Sequence, residues 1–231
     1  MLYLLDSGSP GDVRYCKEYY PLAGVTTNPS IIAKEMRTGE KRGFWQLLEE
    51  IRGIIGPEKM LHVQSVQKQS EGIVEEARLL ESRIGGALYV KIPVGAEGLK
   101  AAMKLKSLGI GVTMTAVFTP AQALMAAEAG ADFVAPYVNR LDNVAGGGCG
   151  VVEEIVRVLE LHKSGCKCLA ASFKNTWQVH NCAMSGCQSV TMSADIFRAV
   201  LGHPLTDAAV EGFDRDWKSV FGERTILSED L

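Results

Sequence analysis

The chain has no CxxC pair, no run of about 18 uninterrupted apolar residues and no excess of positive charge. With no histidine spacing of the zinc-binding kind either, nothing in the pattern asks for a metal, and no cofactor is expected. The six cysteines, Cys16, Cys149, Cys166, Cys168, Cys182 and Cys187, read as reduced thiols, because a secreted disulfide framework normally belongs to a much smaller chain. Without a long apolar run no membrane-spanning helix is expected. Lys and Arg number 24 against 27 Asp and Glu, a formal net charge of -3, so there is no broad basic surface to hold nucleic acid, although a basic pocket remains open. The opening MLYLLDSGSP lacks the charged and apolar regions of a signal peptide, and the expectation is a soluble, cytoplasmic protein. No Pro/Ser-rich linker, charge block or shift of composition marks a boundary, so 1–231 is read as one domain whose segment 208–231 forms a C-terminal helix and tail.

What is present is a rhythm. Short apolar runs at 2–5, 22–25, 60–66, 87–92, 111–117, 132–137, 167–172 and 188–191 read as strands. Amphipathic stretches such as 70–82, 96–108, 120–129 and 151–162 fall between them, several opened by Ser or Pro or closed by Gly. Strand followed by helix, repeated, implies parallel pairing, and eight such units in one chain of this size predict a closed (β/α)8 barrel. An open doubly wound sheet would carry a glycine-rich phosphate turn after its first strand; here that strand ends in Asp6-Ser7-Gly8 with no GxGxxG.

Inside the run ALYVKIPV (87–94) stands Lys91, a poor place for an ordinary lysine. Its ammonium must snorkel to water, pair with a carboxylate, or shed its proton because burial disfavours the charged form. In the third case it is a nucleophile that can attack a carbonyl carbon and form a Schiff base. The strand alone leaves all three open. In a barrel of this class functional groups gather at the C-terminal ends of the strands. Those ends supply Asp6, Thr26 and Asn28, Gln64, Lys91, Thr115, then Tyr137, Asn139 and Arg140, Ser172 and Lys174, and Thr191 and Ser193. Polar residues are ordinary at strand exits, but Asp6, Gln64, Lys91 and Arg140 each leave an apolar run directly.

Five blocks now line up in order: GVTTNPSII at 24–32, VKIPV around Lys91 with EGL at 97–99, TAV at 115–117, APYVNR at 135–140 and AASFK at 170–174. They resemble the small class I aldolases of the transaldolase family, which include the fructose-6-phosphate aldolases, and the likeness runs from residue 4 to about 226. The resemblance implies a Schiff-base role for Lys91, and for Asp6 the carboxylate that holds substrate hydroxyls and handles the proton of the C4 hydroxyl. It implies donor binding by Asn28 with Thr26 beside it, a water-orienting role for Thr115, and sugar-phosphate binding by Arg140, Ser172 and Lys174. Asn139, within APYVNR, is placed with the substrate-binding residues. Plainer readings stand beside these. Asp6 can be a turn carboxylate, Thr26 to Pro29 a helix start, Thr115 a β-branched strand residue and Lys174 a solvated lysine.

Three departures bear on the chemistry. In the transferases of the family the position of Gln64 is a glutamate that shares a water with the lysine, and that of Tyr137 is commonly phenylalanine. Here an amide replaces the carboxylate and a phenol appears, able to donate or accept a proton near the catalytic water. Phe118 stands where close relatives often carry tyrosine. The glycine-dense loop 145–150, from Ala145 through Gly146 to Gly150 with Cys149 inside it, is read as loop filling or as a flexible cover for a phosphate. His62, on the same strand face as Gln64, is expected to be packed rather than to act as a base.

The resemblance therefore implies an aldolase that cleaves fructose 6-phosphate to dihydroxyacetone and glyceraldehyde 3-phosphate through a lysine Schiff base, or runs the condensation in reverse. The alternatives are a transaldolase passing dihydroxyacetone between sugar phosphates such as sedoheptulose 7-phosphate and erythrose 4-phosphate, and a non-catalytic sugar-phosphate-binding paralogue. In the segment 208–221, Val210, Phe213, Trp217, Val220 and Phe221 recur at near-helical spacing. A core helix closing the barrel is one reading. The resemblance implies instead a helix packed on a neighbouring subunit, in a homo-oligomer of five-membered rings, possibly paired into a decamer.

Overall fold

The computed structural model describes residues 1–38, 42–144 and 146–228. Eight strands form among them: β1 (Leu2–Asp6), β2 (Leu22–Thr26), β3 (Met60–Gln64), β4 (Leu88–Pro93), β5 (Gly111–Val117), β6 (Phe133–Pro136), β7 (Lys167–Ala170) and β8 (Ser189–Met192). They pair in parallel in chain order, and β8 pairs with β1, so the sheet closes into the expected (β/α)8 barrel. The helices are α1 (Pro10–Tyr19), α2 (Pro29–Thr38), α3 (Phe44–Ile55), α4 (Ser70–Ile84), α5 (Ala96–Ser107), α6 (Pro120–Glu128), α7 (Val138–Val144), α8 (Gly148–Leu161), α9 (Thr176–Met184), α10 (Ala194–Leu201) and α11 (Pro204–Phe221). The chain divides into two compact units, Met1–Phe197, which holds the barrel, and Arg198–Leu231.

Successive side chains on a strand point to opposite faces, so each barrel strand feeds two layers. One face sends Leu5, Val25, Leu61, Val90, Val112 and Val190 into a continuous apolar layer with helix residues such as Leu47, Ala77, Leu105 and Ile155. The other face builds the barrel interior, where Leu4, Phe133 and Leu169 cluster with Leu2, Ala23, Met60 and Tyr89 as an apolar floor. Other strand positions are buried and polar: Thr26, His62, Lys91, Thr113, Thr115 and Thr191. Helix starts follow local chemistry. Pro10 after Ser9 and Pro120 after Thr119 open α1 and α6, each with a hydroxyl accepting from the first turn, and Asn175 caps α9 in the same way.

Several expected boundaries move. The third strand stops at Gln64 rather than 66: the Ser65 N–H still reaches the Lys91 carbonyl at 3.0 Å, but Glu76 on α4 takes the Val66 N–H at 2.9 Å and the Ser65 hydroxyl at 2.6 Å. The sixth strand ends at Pro136, and Tyr137 beyond it forms an isolated parallel bridge to Ala171 while its N–H reaches the Val117 carbonyl at 3.4 Å. Asn139 and Arg140 therefore lie in the first turn of α7, not on a strand end. The seventh strand stops at Ala170, and Ser172 beyond it adopts a left-handed φ of 66°. The C-terminal helix begins at Pro204, four residues before the expected 208, with Pro204 in its first turn and the His203 ring accepting from the Leu205 N–H at 3.2 Å. None of its residues is buried.

α5 lies tight against the end of β4. A Cβ on Gly98 would stand 2.3 Å from the Pro93 carbonyl oxygen and 3.2 Å from Ile92 Cγ2, so only glycine lets the helix approach the strand that carries Lys91. Gly98→Ala is expected to cost about 1–3 kcal/mol by overpacking, read as a lower urea midpoint at unchanged slope. A midpoint equal to or above that of the parent protein would show that the helix shifts at no cost.

Candidate active site

At the C-terminal mouth, β1, β2, β4 and β8 bring one cluster together. Lys91 is 4% exposed, and its Nζ donates to the Thr27 carbonyl at 2.8 Å. Burial pushes its pKa below the ordinary lysine value, and the Asp6 carboxylate partly offsets this. For Asp6 the balance runs the other way: burial pushes the carboxyl pKa up, while Lys91 and the Thr26 hydroxyl pull it down. Both groups are thus moved toward their neutral forms by the same exclusion of water. Thr26 Oγ1 donates to Asp6 Oδ1 at 2.7 Å and lies 2.6 Å from Thr191 Oγ1. Since the single Thr26 proton goes to Asp6, Thr191 must be the donor to Thr26. A chain from β8 through β2 to β1 therefore orients the carboxyl.

Gln64 sits beside this cluster, in register with Lys91 across β3 and β4 and half-buried. With Thr27, Asn28, Ile32, Trp45 and Leu79 it lines an apolar cavity of about 390 Å³ between the mouth and α2, α3 and α4. Asn28 Oδ1 accepts from the Ile31 N–H at 3.0 Å, so the helix-start reading of Asn28 is correct, and its amide nitrogen is the end available to donate elsewhere.

A second group faces the mouth from β5 onward. Thr115 Oγ1 and Tyr137 OH lie 2.9 Å apart in a hydrogen bond in which either can donate. The chain is bulged between Thr115 and Val117, and Ala116 takes a left-handed φ of 56°, a conformation rare for a residue with a Cβ. That kink and the left-handed Ser172 place two strained residues at the mouth, where function most often retains strain. Phe118 packs edge-on against the Tyr137 ring, and the Arg140 guanidinium lies over it, 4.7 Å from the centroid. Arg140 and Lys174 are exposed, and the Asn139 N–H donates to the Ser172 carbonyl at 3.1 Å, tying α7 to the loop after β7.

Two other residues singled out in the sequence lie apart from this chemistry. His62 is fully buried, stacked on Tyr89, with Nδ1 2.8 Å from Thr113 Oγ1. Burial, aided by the Lys91 cation, holds its pKa well below the imidazole range, so it stays neutral. The Cys149 thiol lies 3.8 Å from Cys182 Sγ and donates to the Gln178 carbonyl at 3.6 Å; burial raises its pKa, the reverse of an activated nucleophile. Ala145, at the start of the glycine-dense loop, lies outside the described residues. Sequence reasoning passed over Thr27 and listed Thr191 without giving it a role. Thr191 was visible as a strand-end hydroxyl, whereas Thr27 acts through its backbone carbonyl and left no side-chain signal.

The fold is shared with solved structures of low sequence identity. A designed cube-shaped, highly porous protein cage made by fusing symmetric oligomeric domains matches with TM-score 0.59 at 15% identity, over 95% of this chain and 77% of that one. A mandelate oxidase variant with a monooxide FMN adduct matches with TM-score 0.57 at 12% identity, over 96% and 74%. A native KDPGal structure matches with TM-score 0.55 at 16% identity, over 94% of each chain. At such identities the likeness speaks for the barrel alone. The sequence itself goes further, because residues 3–225 match the model of the family described as transaldolase/fructose-6-phosphate aldolase. With nearly its whole length covered by that match, this chain belongs to the transaldolase/fructose-6-phosphate aldolase family, whose substrates are sugar phosphates.

Proposed function

We propose that the protein is a class I aldolase that cleaves fructose 6-phosphate to dihydroxyacetone and glyceraldehyde 3-phosphate, and catalyses the reverse condensation. The observation that carries the reading is Lys91, a lysine buried on a barrel strand whose pKa is depressed by loss of water. Its neutral amine attacks the C2 ketone, and loss of water gives an iminium. Asp6, whose raised pKa suits a proton acceptor, takes the proton of the C4 hydroxyl. The C3–C4 electron pair then flows into the iminium, the aldehyde phosphate leaves, and an enamine of the three-carbon donor remains on Lys91. Asn28 and Thr26 serve the donor hydroxyls, and Asn139 on α7 is a further substrate-binding residue. Arg140, Ser172 and Lys174 take the phosphate, two cations and a hydroxyl suiting a dianion.

Aldolase and transferase part at the enamine. An aldolase protonates C3 and hydrolyses the resulting iminium, while a transferase holds the enamine for a second sugar. The Tyr137 phenol, bonded to Thr115 at 2.9 Å, supports protonation, with Thr115 orienting the water that hydrolyses the iminium. Gln64, a neutral amide next to Lys91, leaves that side of the site without a competing carboxylate. We also propose that the exposed Leu205, Val210, Phe213 and Val220 of α11 pack against another copy of the chain in a homo-oligomer.

Wild-type protein should release dihydroxyacetone from fructose 6-phosphate with no acceptor present. Formation of sedoheptulose 7-phosphate from added erythrose 4-phosphate, with no such release, would instead make the protein a transaldolase. Tyr137→Phe should lower dihydroxyacetone release by about 10²-fold, the size of a lost acid–base group, and Gln64→Glu added to it should shift the balance toward transfer. The pH dependence of imine formation with dihydroxyacetone, followed by cyanoborohydride trapping, has a definite sign. The reactive amine is the deprotonated one, so the rate rises with pH and levels off below the range of a free lysine. Asp6→Asn removes the charge that holds the Lys91 proton on, and should move the rising limb to lower pH; an unmoved limb would uncouple the two groups. Light scattering should give a multiple of the chain mass at concentrations that retain activity, and a monomer would refute the oligomer.

A further inference from the structure

The phosphate residues lie on separate segments, Arg140 on α7 and Ser172 and Lys174 on the loop after β7, and one buried side chain between those segments has no place in the mechanism above. Gln178, the third residue of α9, uses both ends of its amide. Oε1 accepts from the Lys174 N–H at 2.8 Å, while Nε2 donates to Asp142 Oδ2 at 2.6 Å and to Asn139 Oδ1 at 3.3 Å, both on α7. Asp142 passes the connection on, since its Oδ1 accepts from the Gly148 N–H at 2.7 Å, where α8 begins. There is no slack at that end. A Cβ on Gly148 would stand 2.3 Å from the Val138 carbonyl oxygen and 3.0 Å from Asp142 Oδ1.

A second glutamine in the same molecule separates local capping from this wider role. Gln122, the third residue of α6, takes the Phe118 N–H at 2.8 Å with its Oε1, just as Gln178 takes that of Lys174. In both loops the residue before the helix, Thr119 or Asn175, accepts from the glutamine's own backbone N–H. The shared half is a helix-entry motif of the capping-box kind. What Gln178 adds is burial and the amide nitrogen, which reaches across to another βα unit. Only a side chain with a donor and an acceptor at this length serves a backbone N–H on one side and the Asp142 carboxylate on the other. Glutamate in its place would set two carboxylates together, and an apolar residue would leave buried groups without partners.

We infer that Gln178 is a positioning residue for phosphate recognition, fixing the loop that carries Ser172 and Lys174 against the helix that carries Arg140. It touches neither the phosphate nor the reacting atoms. The inference rests on the reading of Arg140, Ser172 and Lys174 as the phosphate site. Its consequence is selective: loss of the amide should weaken binding of a phosphorylated aldehyde and leave the covalent chemistry at Lys91 intact.

The test is steady-state condensation of dihydroxyacetone with glyceraldehyde 3-phosphate and, in parallel, with unphosphorylated glyceraldehyde. Gln178→Glu should raise KM for the phosphorylated aldehyde by roughly tenfold to a hundredfold, with kcat and the kinetics of glyceraldehyde within about twofold of the parent protein. Gln178→Glu combined with Asp142→Asn exchanges donor and acceptor while keeping the acceptor for Gly148, and should restore most of the preference. Gln122→Ala should leave the preference unchanged. If Gln178→Glu does not fold, Gln178→Met keeps the length without adding charge and should show the same selective rise. Equal losses with both aldehydes, an unchanged ratio of their KM values, or a swapped pair as poor as the single variant would each overturn the inference. Arg140→Ala separates this from the underlying reading. If it leaves KM for the phosphorylated aldehyde unchanged, the phosphate site itself is misplaced; if it raises that KM while Gln178→Glu does not, only the role of Gln178 falls.

Discussion

An amine kept from water and faced by a carboxyl group sets the terms for the rest of this barrel. Burial pushes the Lys91 pKa down and the Asp6 pKa up, and the attraction between the two groups partly offsets both shifts. The amine and the carboxyl each have a partner: the Thr27 carbonyl for the amine, and the Thr26 hydroxyl, backed by Thr191, for the carboxyl. The neighbouring imidazole of His62 stays neutral, in part because the lysine is there, and adds no second cation to the interior. An apolar floor of Leu4, Phe133 and Leu169 is a part of the barrel from which water is excluded.

The mouth divides by strand. β1 to β4 contribute Asp6, Thr26, Gln64 and Lys91, the groups proposed for bond making and proton removal at the donor. β5 and the segments after β6 and β7 contribute the hydroxyl pair Thr115 and Tyr137, then Arg140 and Lys174. On the proposed reading the reacting carbon lies between these halves, an arrangement open to a fold whose strand ends converge from all sides. At the mouth the second half carries the bulge at Ala116 and the left-handed Ser172. The Tyr137 ring joins the two tasks of that half, since its hydroxyl bonds Thr115 while its face carries the Arg140 guanidinium.

The barrel was legible because parallel strands covered on both sides leave apolar runs, and because a lysine inside such a run is conspicuous. Legibility ended where tertiary bonds decide the backbone. Glu76, from α4, takes the Val66 N–H and the Ser65 hydroxyl just past the end of β3, and no local pattern announces it. The seven residues of α7 follow a strand without a turn signal, so Asn139 and Arg140 read as strand-end residues. The kink at Ala116 has no glycine to mark it. Pro204 did mark the true start of α11, but the apolar spacing from 208 onward drew attention past it. Gln178 and Thr27 were silent for a different reason: one sits within a helix as an unremarkable polar residue, and the other acts through its backbone.

All of this chemistry depends on Lys91 becoming covalently attached to substrate. Borohydride reduction of the protein near neutral pH with saturating fructose 6-phosphate, followed by peptide mass mapping, reads that attachment directly. The account predicts a stable secondary-amine adduct on the peptide containing Lys91, together with loss of activity. An unmodified Lys91 under those conditions would contradict it.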